Sequence, residues 1–165
     1  MSKTDTNNSF STQLATRFRE VVLNGQWIAN TNLKMALEDV PFEVAIKEIS
    51  GLNTIASLTF HIQYYIGGVL NVFEGGALEI RDKFSFDMPT LAGETDWIKL
   101  KEALYTKAEQ FASEVQRLGD ENLGEVFVNP EYGDYRRNIE GMIEHCYYHL
   151  GQIVLIKKLL NPSPK

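Results

Sequence analysis

A chain of 165 residues can bury a core without disulfides or a structural metal, and its 44% hydrophobic and 23% charged residues lie in the ordinary globular range. A net charge of −6, with lysine and arginine scattered among acids, excludes a nucleic-acid surface. No apolar run approaches the ~18 residues that span a bilayer, and the polar first nine residues lack the basic-then-apolar layout of a secretory signal. The only cysteine, Cys146, excludes an intrachain disulfide and suits a reducing cytoplasm.

Residues 1–9 are rich in Ser, Thr and Asn and are expected to fray. From Phe10 an apolar stripe recurs through Leu14, Phe18, Val21 and Val22 at helical spacing, with Asn24 and Gly25 as its stop. Trp27 and Ile28 follow, then a short stripe at Leu33, Ala36 and Leu37, and a brief helical turn opened by Pro41. Asn53 is the expected N-cap of a long helix over 54–74, striped by Ile55, Leu58, Ile62, Ile66, Val69 and Phe73 and ended by Gly75 and Gly76. Residues 77–93 have no clean period and make a long connection. Helical spacing returns over 94–118, with Gly119 placed to end it. Residues 126–135 suggest a turn or small hairpin around Asn129, Pro130 and Gly133. The last helix, 136–160, carries Ile139, Met142, Ile143, Cys146, Leu150 and Ile153, and Asn161 and Pro162 stop it. Four main helices in one domain, 1–165, predict an all-α four-helix bundle.

The histidines number three: His61, His145 and His149. The last two stand four apart on one helix, so their imidazoles project from one face within reach of one ion. At about 100° per residue they lie roughly a quarter turn from the centre of the apolar stripe, and His61 lies off its own stripe by a similar angle. Such flanks converge if the two helices are antiparallel neighbours, and that is the expectation. The long 77–93 connection is then the crossover that avoids a diagonal placement. Three ligands leave a coordination place open, as catalytic metal sites do. Spacing alone, however, suits hydrogen-bonded packing histidines as well as ligands.

The run His145-Cys-Tyr-Tyr-His149-Leu-Gly-Gln152-Ile153 resembles the H-x-x-x-H-x-G-Q-I signature of the DinB/YfiT-like superfamily. Thr54-Ile-Ala-Ser-Leu-Thr-Phe-His61-Ile resembles that family's second-helix motif, and Asn24-Gly-Gln-Trp27 and Glu131-Tyr-Gly-Asp-Tyr135 fit the same pattern. The resemblance implies a four-helix bundle with a crossover between its second and third helices, often a homodimer, holding zinc, nickel or a similar divalent ion on His61, His145 and His149. Assigned activities in the family include thiol-dependent S-transferases, which use a low-molecular-weight thiol such as mycothiol or bacillithiol, and a maleylpyruvate isomerase. The expectation is thus a cytoplasmic metal-dependent transferase or hydrolase acting on a small molecule. The alternative is a non-catalytic interaction or metal-sensing module.

Ligand histidines need acceptors for their second ring nitrogen, and Asn138 and Gln152 are the candidates on the same flank. Gln152 suits equally a buried amide satisfying backbone groups. Tyr65 shares His61's flank and is either a pocket wall or a packing residue; Trp27 carries the same ambiguity. No carboxylate falls on the histidine flank of either helix, so no general base is named. Cys146, toward the apolar stripe, reads as a small buried hydrophobe and not as a nucleophile.

Overall fold

The computed structural model describes residues 9–161, and within them the chain is all-helical apart from turns and one isolated β-bridge. The helices are α1 (Phe10–Arg19), which runs on into a π-helical turn (Glu20–Asn24), α2 (Leu33–Glu38), α3 (Phe42–Ala45), α4 (Ile55–Phe73), α5 (Glu94–Leu118) and α6 (Tyr135–Leu160). The fraying expected for the N-terminus lies outside the described residues except at Ser9. That residue is the N-cap of α1, its hydroxyl accepting from the Thr12 N–H. Among the described residues no helix is long and apolar enough to cross a membrane.

Local chemistry explains the boundaries. Thr54, and not Asn53, caps α4: its backbone is extended and its hydroxyl accepts the Ser57 N–H at 3.0 Å, satisfying a donor that the first turn leaves free. Asp134 does the same for α6 by accepting from the Arg137 N–H at 2.7 Å, which starts that helix one residue earlier than the apolar pattern suggests. Gly119 ends α5 with φ of 75°, a conformation that favours glycine. The hairpin expected over 126–135 reduces to a single antiparallel bridge, Val126 with Asp134, around a 3-10 turn at Pro130–Tyr132.

The four longer helical stretches pack around one core. Leu14 and Phe18 of α1, Ile62 and Ile66 of α4, Leu104 and Phe111 of α5, and Ile139 and Ile153 of α6 are completely buried there. Helix α1 lies against α5 and α6, and α4 lies against the same two. Side-chain pairs give the directions. Ser11 meets Asp120 while Arg19 meets Glu109, so α1 and α5 are antiparallel. The rings of His61 and His149 lie 4.7 Å apart and those of Phe73 and Tyr135 5.2 Å apart, so α4 and α6 are antiparallel neighbours, as the helical wheel predicts. Because α1 runs alongside α6 in the same sense (Phe10 by Arg136, Glu20 by Tyr147), α4 and α5 also share a direction.

Parallel neighbours need a long return between them. Residues 77–93 supply it by lying back along α4, with Tyr64 bonded to Arg81 and Tyr65 to Asp82. The segment linking α1 to α4 is pinned at the other end of the molecule: the indole N–H of buried Trp97 on α5 donates to the Val40 carbonyl at 2.7 Å.

Candidate metal centre

The antiparallel seam between α4 and α6 brings all three imidazoles together. Nε2 of His145 stands 3.1 Å from Nε2 of His61 and 2.9 Å from Nε2 of His149. One nitrogen from each ring can be chosen so that all lie within 4.8 Å of one another. Three imidazole nitrogens bound at ~2.0–2.1 Å to one cation stand about 2.9–3.4 Å apart in octahedral or tetrahedral geometry, and both His145 distances fall in that range.

The far side of two rings fixes their tautomer. His149 Nδ1 lies 2.7 Å from Gln152 Oε1, and His61 Nδ1 lies 3.3 Å from the Ser85 carbonyl. Both partners are oxygens that accept, so each Nδ1 carries its proton and leaves an Nε2 lone pair aimed at the common point. Phe86 stacks on His61 with centroids 4.1 Å apart, and Tyr65 sets its edge against His61 and His145 at 4.9 and 5.1 Å.

Electrostatics agree with neutral ligands. Burial, followed by the neighbouring imidazoles, pulls the pKa of His145 down to about 4. Burial also lowers His61, helped by His149 and opposed by the Ser85 carbonyl and Asp82. His149 is lowered by burial against the opposing bond to Gln152. In the metal-free protein these shifts set the pH dependence of stability. A histidine whose folded pKa lies below its unfolded value of ~6.5 binds more protons when unfolded, so its contribution is present above ~6.5 and lost as pH falls toward the folded value. Urea midpoints of chelator-treated protein are therefore expected to drop between pH 7.5 and pH 5, and the drop to shrink in His145→Gln. The lowered carboxylates Asp39, Glu109 and Asp120 act at lower pH and leave this window to the histidines.

Beside the cluster opens a pocket of about 600 Å³ reaching His61 and His145. Val69, Leu78, Ile80, Phe127 and Met142 form its apolar walls, while Asp82, Glu131 and Arg137 supply charge. Of the residues expected near the ligands, Gln152 and Tyr65 touch them. Asn138 lines the pocket, where its side-chain NH2 group donates to the Tyr132 and Asp134 carbonyls, both at 2.8 Å, which holds the amide at the start of α6. Trp27 is 86% exposed in a separate cleft with Arg17, Glu20 and Tyr147. Cys146 is fully buried and its thiol pKa is pushed up, in keeping with a packing role. Glu140 and Glu144 pair at the surface with Arg136 and Arg137.

A family model described as the DinB superfamily matches residues 29–153, a span that contains all three histidines and Gln152. The chain belongs to the DinB superfamily. No curated protein and no solved structure matches it. The DinB match covers α4, the 77–93 connection between α4 and α5, and α6 as far as Ile153. That connection carries the site residues sequence reasoning missed: Asp82, Ser85 and Phe86. Their stretch has no periodicity to place them. The available clue was the Gly67-Gly68 pair inside an otherwise regular helix, a pattern that marks close approach of another part of the chain.

Proposed function

We propose that this DinB-superfamily protein is a metal-dependent enzyme in which His61, His145 and His149 hold one divalent ion, zinc or nickel, and a small molecule reacts in the adjoining pocket. The observation that carries the reading is the convergence of three Nε2 atoms, with the His149 and His61 rings oriented from behind by Gln152 and Ser85. When bound, a divalent ion supplies the charge that lowers the pKa of a neighbouring thiol or water toward neutrality.

The chain's own residues do the rest. Neutral imidazoles bind without first losing protons at physiological pH. The apolar walls displace water around a substrate's body, and Arg137, Asp82 and Glu131 meet its polar groups. Thiol-dependent S-transfer, with a low-molecular-weight thiol as co-substrate, is the favoured reaction type, and hydrolysis the second. The architecture is read as one bundle domain of DinB/YfiT type, with residues 77–93 as its crossover; the shared direction of α4 and α5 supports this. A homodimer, from the family resemblance, and a cytoplasmic location, from the single cysteine, complete the reading.

Turnover tests it. Loaded protein with bacillithiol or mycothiol and an electrophilic acceptor such as chlorodinitrobenzene is expected to form the S-conjugate. Activity should disappear on chelation and return with the ion. Fully loaded protein that turns over neither these thiols nor simple esters would instead be a non-catalytic metal-binding module.

A further inference from the structure

Residues 80–86 touch α4 at four levels, one after another along a single helix face. Ile80 lies on Gly68, so close that a Cβ there would stand 2.2 Å from the Ile80 side chain. Next, the Tyr64 hydroxyl accepts the Arg81 N–H at 2.9 Å and donates to the Arg81 carbonyl at 3.1 Å. The Tyr65 hydroxyl donates to the Asp82 carboxylate at 2.5 Å. Last, Ser85 and Phe86 meet His61, the first at Nδ1 and the second across the ring. Positions 61, 64, 65 and 68 lie on one helix face over two successive turns, so one short segment reaches them all.

Within that segment Asp82 joins the two ends. Its carboxylate holds Tyr65, while its carbonyl accepts both the Ser85 N–H at 3.0 Å and the Ser85 hydroxyl at 2.7 Å, closing the 3-10 turn Asp82–Phe84. The direction of the Ser85 carbonyl, and with it the tautomer of His61, follows from where Asp82 is anchored. Asp82 itself is exposed, so its bond to Tyr65 contributes little to overall stability.

We propose that the 80–86 segment is a positioning strap for His61 and that Asp82 is the positioning residue that sets its register, tuning how tightly the site holds its ion. The inference rests on the metal reading above and adds that affinity is controlled from outside the ligand set. Partners that orient a metal-binding imidazole from behind are generally worth 10–100-fold in affinity. Gly68 belongs to the same device: a side chain there displaces Ile80 and shifts the strap without touching a ligand.

The test uses the full chain, stripped of metal and titrated with zinc against a chromophoric chelator. Asp82→Ala is expected to weaken zinc binding about 10–100-fold while leaving the melting of the metal-free protein nearly unchanged. Asp82→Asn, whose amide oxygen still accepts from Tyr65, restores most of the loss, and Gly68→Ala moves affinity in the same direction as Asp82→Ala. A second readout needs no metal: nitrogen-15 correlation spectra of the His61 ring show the Nδ1–H tautomer in the wild type and a tautomer mixture in Asp82→Ala. Wild-type affinity together with an unchanged His61 tautomer in Asp82→Ala overturns the strap and leaves the metal site standing. A wild type that binds no zinc overturns both.

Discussion

Purified protein is expected to carry one divalent ion per chain, and His149→Ala to carry none. The expectation follows from geometry: His149 is buried, its Nε2 stands 2.9 Å from that of His145, and Gln152 fixes its tautomer from behind. Removing it leaves two imidazoles on the seam and opens a second coordination place. Because the ion binds the folded protein and not the unfolded chain, it stabilises by about 4 kcal/mol at a free concentration a thousandfold above its dissociation constant. Elemental analysis measures the stoichiometry, and melting with and without chelator measures the linkage. The wild type should lose several degrees on chelation, whereas His149→Ala should melt alike in both conditions. Substoichiometric metal in the wild type, or a variant that keeps its ion, would falsify the assignment.

Trp97→Ala is expected to cost about 3–5 kcal/mol from the lost ring alone. The indole is completely buried and its N–H is the donor for the Val40 carbonyl, so truncation also leaves that acceptor without its partner. Against a typical total of about 5–15 kcal/mol this consumes a large share of stability, equivalent to roughly 10–15 °C in melting temperature. Urea unfolding followed by far-ultraviolet circular dichroism measures the loss. Trp97→Phe keeps most of the volume, and the difference between the two variants isolates the ring from the hydrogen bond. A loss under about 1 kcal/mol in Trp97→Ala would mean that the linker carrying α2 and α3 is held by other contacts.

Helices α4, α5 and α6 are legible in the sequence because each carries an apolar stripe several turns long, and Ile62, Phe111 and Ile153 are buried as those stripes require. The ligand cluster is legible too: a spacing of four fixes two imidazoles on one face, and equal angular offsets bring the third across an antiparallel seam. What escaped had no period. Asp82, Ser85 and Phe86 reach His61 through a backbone carbonyl, a ring face and a turn, none of which leaves a repeating pattern. Asn138 was placed on the correct face, yet its amide is drawn to carbonyls at the start of α6, since an asparagine near a helix N-terminus finds backbone partners close by. The cap of α4 shifted by one residue because Asn53 and Thr54 are both good capping residues and only the backbone geometry chooses between them.

The N–H groups of Phe10 and Ser11 are tied to the carboxylate of Asp120, 110 residues further along the chain in the case of Phe10. Since α1 packs on α5 and α6, much of its apolar face lacks its final partner while the ribosome is still making the middle of the protein. Helix α1 is therefore made well before the helices that cover it. Until α5 emerges, Leu14 and Phe18, which end up completely buried, depend on transient contacts.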